Sequence, residues 1–239
     1  MSLEVRHHVD LVELTFDEVI LSRSLLADLA AALDEVAETA AGSPLVIGSR
    51  HPTVFLAGAH LGEIADLNGI RSAGYGHDGR AVLARLRRHP AATVAAVHGT
   101  CAGGGFDLVL ECDQVVASPT ASFRHPGVYR GLVTGWGGSV TLPVVAGAAS
   151  TPVMIAGREI SAPQAVALGI ASSIDSDPRS AARRLARRLA SLHPDRLAAW
   201  RCLQTGNFVD TFRATVVHHQ SRMSCSKRGG HRMGRRETR

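Results

Sequence analysis

Two glycine turns and one carboxylate are the residues of this chain best suited to chemistry. Residues 95–107 read AAVHGTCAGGGFD, and upstream residues 55–61 read FLAGAHL. The longer stretch has the pattern of a buried strand, a glycine turn and the start of a helix with Asp107 in its first turn. Backbone N–H groups in a first helical turn have no intrahelical acceptor and sit at the positive end of the helix dipole, so they can hold negative charge. Two such turns can aim two N–H donors at one oxygen, the arrangement of an oxyanion site. A glycine run taken alone is equally well explained as a tight strand–helix packing turn. Asp107 adds a group able to give or take a proton.

The elements that position these turns can be read from periodicity. Residues 4–15 alternate in part and predict a strand. Ser22 is a candidate N-cap, and Leu25, Leu29, Leu33 and Val36 follow at helical spacing to about residue 38. Short apolar runs at 44–48, 53–56, 93–97 and 114–117 predict strands. Helices are predicted around Leu83 and Leu86, ending before Pro90, and over 104–112. A second glycine loop, 134–138, leads into a helix to about Ala146, and Ser161 and Gly169 bracket another. Residues 180–192 predict a helix with Leu185, Leu189 and Leu192 on one face and Arg183, Arg184, Arg187 and Arg188 on a solvated basic face. Strands alternating with helices through short links argue for an α/β fold. No internal repeat is visible.

Composition narrows the function classes. A chain of 239 residues can bury a full core, and 45% hydrophobic with 20% charged residues is ordinary for a soluble protein. Aromatic residues make up only 4%, which argues against a stacking platform for nucleic-acid bases. The net charge of +5 belongs to the tail: residues 222–239 carry seven basic side chains against Glu237, leaving the rest of the chain at −1. A folded face that binds nucleic acid has no support from charge. The tail is Gly-, Ser- and Arg-rich and is expected to be flexible. No uninterrupted apolar run suggests a membrane span, and the N-terminus lacks a signal-peptide pattern. Cys101, Cys112, Cys202 and Cys225 show no CxxC spacing, so the expectation is a reducing cytoplasm and no metal site.

From about residue 11 to residue 174 the sequence resembles the crotonase superfamily, the enoyl-CoA hydratase/isomerase family. The resemblance is carried by residues 55–61, by 95–108 through Cys112-Asp113, by Ala121-Ser122-Phe123, by 131–133 with 135–138, and by 157–162 through 167–171, all in the family's order and spacing. It implies an α/β, crotonase-like ββα spiral with two nearly perpendicular sheets: a core over 1–175, a helical C-terminal region over 176–221, then the basic tail. It implies an acyl-CoA thioester as ligand and homotrimer or hexamer assembly. No nucleic-acid or membrane partner is implied, nor any cofactor beyond the coenzyme A of the substrate. The resemblance places the two oxyanion donors at the backbone N–H groups of Ala59 and Gly104, and the proton-transfer carboxylate at Asp107. Substrate contacts fall at Ala57, Ala59, His60, Leu61, Gly103 and Gly104. Each preorganised donor to a developing enolate oxygen contributes about 3–4 kcal/mol.

Four features depart from the family. Hydratases of this family use two glutamates; Asp107 stands for the first with a side chain roughly 1.5 Å shorter, and Gly127 stands for the second. His125, Tyr129 and Arg130 are the nearby residues able to supply another polar group. His60 occupies a common Asp position. The link between Phe16 and Ser22 is short, and the region after Asn207 is atypical. Two functions follow: a double-bond isomerase or hydratase-like lyase with a single acidic acid/base residue, or a non-catalytic acyl-CoA binder or assembly subunit.

Overall fold

Segments rich in Val, Ile, Leu and Ala build the strands, and each strand pair is followed by a helical segment. The computed structural model describes residues 2–65, 67, 69–191, 197, 200 and 201. Residues 1–191 form one compact unit. Cys202, Cys225, the basic tail and most of the expected C-terminal helical region lie outside the described residues.

The chain opens with an antiparallel hairpin of β1 (Leu3–His7) and β2 (Val12–Phe16), with Leu3 opposite Phe16. The single strand expected over 4–15 is therefore two strands. His8 donates its backbone N–H to the Leu11 carbonyl across the turn, a reversal that partial alternation alone did not reveal. β3 (Ile20–Leu21) leads to α1 (Arg23–Thr39), and the Ser22 hydroxyl accepts the Leu25 N–H as the expected N-cap.

A ββα unit then repeats. β4 (Leu45–Ser49) and β5 (Val54–Leu56) are followed by the two-residue strand β6 (Gly58–Ala59), the short helix α2 (Leu61–Ala65) and α3 (Gly69–Arg88). β7 (Thr93–Val97) and β8 (Thr100–Ala102) are followed by α4 (Gly104–Leu110). β9 (Gln114–Ala117) and β10 (Ser122–Arg124) are followed by a 3-10 turn at Pro126–Arg130 and α5 (Gly138–Ala146). Beyond a 3-10 turn at Gly147–Ala149 come α6 (Ser150–Ala156), β11 (Ile160–Ser161), α7 (Ala162–Ala167), β12 (Ser173–Ile174) and α8 (Pro178–Ala190). The first strand of each unit joins a six-stranded sheet ordered β1-β2-β4-β7-β9-β12. The second joins a four-stranded sheet ordered β11-β10-β8-β5. This alternation is the expected spiral, and it stacks the loops that follow β5, β8 and β10 side by side.

Both faces of the long sheet are covered, as a mostly parallel sheet requires. One face enters the main core with Leu14, Phe16, Leu45, Ile47, Ala95 and Val97, together with Leu25, Leu29 and Leu33 of α1. The other packs Val46, Val94, Ala96 and Val116 against Ala182 and Ala186 of α8. On this second face β2 presents Glu13, which is only 1% exposed. Arg183 binds Glu13 through two nitrogens, Arg179 approaches it at 3.4 Å, and His8 at 3.2 Å. Arg187 pairs with Asp10, and Arg184 with Asp175. The α8 arginines are thus anchors rather than only a solvated face. Sequence periodicity cannot reveal the pairs with Glu13 and Asp10, because those acids lie about 170 residues away in the chain.

The segment Gly138–Ala156 corrects the expectation of no run with membrane-spanning character, since its 19 residues are apolar and long enough by composition. Its glycines and alanines disguise it in the sequence. It is broken by Gly147 at φ +55° and carries Pro143 and Pro152, so it folds as two short helices joined by a 3-10 turn.

Burial alone would raise the Glu13 pKa, but the Arg183 hydrogen bond, the Arg179 charge and His8 outweigh it and hold the carboxyl at about 2. A folded pKa below the ordinary value of 4.5 gives stability that is complete above pH 4.5 and is lost as pH falls toward 2. Glu13→Gln is expected to cost about 3 kcal/mol near neutral pH, because the two arginines lose a buried partner. Thermal melting from pH 7 to pH 3 is expected to show that gap narrowing as the wild-type carboxyl protonates.

Candidate active site

The two glycine turns pack backbone against backbone. Gly58 holds φ +100° in β6, and Gly103 holds φ +53° as the residue before α4. A Cβ on Gly58 would stand 3.0 Å from the Ala102 carbonyl and 3.3 Å from the Gly104 nitrogen. A side chain would therefore separate the two turns, and only glycine adopts both backbone conformations without strain. The β10 strand fixes the other side. It runs parallel to β8 with Arg124 opposite Ala102, and the Arg124 carbonyl accepts the Gly103 N–H at 3.0 Å.

These turns open onto a cavity of about 550 Å³. Ala57, Ala59, His60, Leu61, Gly103 and Gly104 all line it, so the residues expected to contact substrate come together. Tyr75, His125, Gly127 and Trp136 also line it. Trp136 is buried and lies so close over Gly104 that a Cβ there would meet its ring at 2.3 Å. Tyr75 packs against Trp136 with ring centroids 5.6 Å apart, and its buried hydroxyl has no hydrogen-bond partner among the described residues.

Asp107 lies in the first turn of α4, with a side chain fully shielded from solvent. Thr134 donates its hydroxyl to Oδ2, and Oδ1 faces His125 Nε2 at 3.4 Å. Neither Oδ1 nor Nε2 has a well-formed hydrogen bond. Buried polar atoms are nearly always paired, which makes this juxtaposition notable. Gly138 sits against the pair; a Cβ there would meet Oδ1 at 2.0 Å and Nε2 at 3.1 Å. The His125 ring stacks on Phe106 with centroids 5.0 Å apart. Burial pushes the Asp107 carboxyl up to about 7; the Thr134 hydroxyl and the Gly138 N–H pull it down, and Glu111 pushes it further up. Burial pushes the His125 imidazole down to about 4. Both groups therefore resist charge in this dry site.

Other candidates have structural partners. His60 Nδ1 accepts the Glu63 N–H at 3.2 Å, so the ring caps α2 in the way a short acid at that position would. His98 Nε2 donates to the His51 carbonyl at 2.6 Å. Asp113 accepts the Thr93 N–H and hydroxyl, fixing the turn after α4. Glu111 pairs with Arg87 through both oxygens. The Tyr129 hydroxyl donates to the Ala156 carbonyl. A Cβ on Gly127, the counterpart of the second family glutamate, would sit tightly at 3.2 Å from the Leu132 carbonyl, so Leu132 would have to give by a few tenths of an ångström. The sequence signal for His125 was its place just before that position.

A carboxyl whose folded pKa is raised stabilises the fold fully only below its ordinary pKa, and that contribution is lost as pH climbs to about 7. Asp107→Asn is accordingly expected to melt higher than wild type at pH 8. The advantage should shrink steadily toward pH 4, as read by thermal denaturation.

Comparison with known proteins identifies the family. The enoyl-CoA hydratase/isomerase family model matches residues 13–222. The "Probable enoyl-CoA hydratase" of Bacillus subtilis is 29% identical over 201 residues, 82% of this chain and 78% of that protein. The "Fatty acid oxidation complex subunit alpha" of Aliivibrio fischeri is 36% identical over 143 residues; the match spans 58% of this chain but only 21% of that longer protein. The crystal structure of an enoyl-CoA hydratase from Thermoplasma volcanium superimposes with a TM-score of 0.84 at 20% identity, covering 94% of this chain and 93% of that one. With its spiral of ββα units and paired glycine turns, the chain belongs to the enoyl-CoA hydratase/isomerase family.

Proposed function

We propose that this protein binds an acyl-CoA thioester and stabilises its enolate, acting as a double-bond isomerase or hydratase-like lyase with Asp107 as its one acidic acid/base group. The observation that carries this reading is the contact of the Gly58–Ala59 and Gly103–Gly104 turns on one cavity, with His125 in its lining and Asp107 against His125. In this reading the N–H groups of Ala59 and Gly104 receive the thioester oxygen. Charge grows there as the enolate forms, and fixed donors stabilise it without reorganising. Asp107 is the acidic group of the proton transfer, and its raised pKa suits work near neutral pH.

Gly127 supports a second reading. Glycine offers no carboxylate at that position, so a standard two-carboxylate hydration has no partner for Asp107 there. A binder or assembly subunit that has lost turnover would look the same at Gly127. The Asp107 environment favours the enzyme, because a raised carboxyl held by Thr134 is a costly feature for a passive binder to retain.

Assembly as a homotrimer or hexamer fits the exposed Val140, Val144 and Ile155 of α5 and α6, which form apolar surface without a cover among the described residues. Sizing at micromolar concentration is expected to give an oligomer, and a monomeric peak would defeat that part of the proposal. For the reaction, crotonyl-CoA and a 3-enoyl-CoA serve as probes of conjugated-thioester absorbance. Absorbance is expected to fall if water adds or rise if the double bond migrates, and Asp107→Asn should slow the change by about 100-fold. Acyl-CoA binding seen as a raised melting temperature, with no turnover of either probe, would leave the binder reading instead.

A further inference from the structure

We propose that His125 is the residue that exchanges the proton with the substrate, and that Asp107 acts through it by fixing the ring and its tautomer. This rests on the acyl-CoA reading above and gives that site a second functional side chain.

Placement comes first. His125 directly follows Arg124, whose carbonyl holds the Gly103 N–H. The strand register thus sets His125 beside the turn that carries Gly104. His125 is among the residues that line the cavity, whereas Asp107 is not and is fully shielded. Stacking on Phe106 removes rotational freedom from the imidazole. Its Nε2 faces Asp107 Oδ1 at 3.4 Å, and in the proposed role Nδ1 is the nitrogen that meets the substrate. A buried imidazole against a buried carboxyl, without a well-formed hydrogen bond between the facing atoms among the described residues, is a costly arrangement to keep for packing alone. Gly138 clears the space the pair occupies.

The chemistry balances without any further reactant. The C–H bond next to the thioester carbonyl breaks, and its electron pair enters the enolate, placing negative charge on the thioester oxygen. The proton goes to Nδ1 of His125. The resulting imidazolium keeps its Nε2–H toward the Asp107 carboxylate, which stabilises the new positive charge. On return, the enolate takes the proton from Nδ1 at the original carbon or, in a β,γ-unsaturated chain, at the γ-carbon. The charged groups around the pair come from several elements. Asp107 faces Thr134 in the glycine loop, Gly138 at the start of α5 and Glu111 on its own helix, and its charge also reaches Cys101 of β8. Once Asp107 ionises, Nε2 is the donor and Nδ1 becomes a base, so exchange is expected to rise as pH passes through about 7.

The test is hydrogen–deuterium exchange at the α-carbon of butyryl-CoA in D2O, followed by mass spectrometry, since it needs only enolate formation. His125→Gln is expected to slow exchange by about 100-fold while butyryl-CoA still raises the melting temperature. His125→Ala should be equally slow and should recover in part when imidazole is added. Asp107→Asn should lose the rise through neutral pH. Wild type that exchanges, with both His125 variants within tenfold of it, would overturn the role of His125 and leave the acyl-CoA reading intact. Wild type that binds butyryl-CoA without exchanging it would overturn both the role of His125 and the enolate-forming reading, leaving an acyl-CoA binder.

Discussion

The close approach of one bare backbone to another governs this structure. Gly58 meets Ala102, Gly103 and Gly104 at distances that admit no side chain. β6 and the start of α4 thereby become two walls of one cavity rather than two separate turns. Every candidate site residue inherits its place from that contact. Ala59 follows Gly58, Gly104 follows Gly103, and Asp107 follows by one turn of helix. The third wall is set by the parallel pairing of β8 with β10, extended by the Gly103 N–H to the Arg124 carbonyl, which carries His125 and Gly127 to the same place.

Electrostatics then act on what the backbone has assembled. Asp107 and His125 are both too dry to charge easily, and the same dryness would strengthen any donor aimed at an enolate oxygen. Trp136 contributes by packing, lying across Gly104 on one side and Gly79 on the other. Glycine at both positions is a matter of ring clearance. The role of Trp136 is to exclude space, consistent with its buried position and its contact with Tyr75.

Much of this was legible from residue order. The strands at 93–97 and 114–117, the helix from Gly138 to Ala146 and the Ser161 cap follow from local apolar runs and capping chemistry, and the structure has them where periodicity put them. The glycine turns could be proposed as partners because their spacing matches a known family. What could not be read depends on contacts distant in sequence. The β1–β2 reversal has only a short turn of ordinary residues to mark it. The α8 arginines look like a solvated face until Glu13 and Asp10 arrive from the other end of the chain. His125 looked no better than Tyr129 or Arg130. The difference is tertiary: Tyr129 turns to a backbone carbonyl, whereas the His125 ring turns to Asp107.

Glu13 also bears on the order in which the molecule can complete itself. Its carboxylate lies on a strand that is buried on both faces, yet the guanidinium groups that neutralise it are made some 170 residues later. As the chain leaves the ribosome, the hairpin, α1 and the first ββα units can close around the main core. The opposite face of the long sheet must stay wet until α8 emerges, because drying it earlier would strand a lone negative charge. The last helix of this unit is thus a closing piece, and an arrested or truncated chain would present an open, acid-bearing sheet to its surroundings.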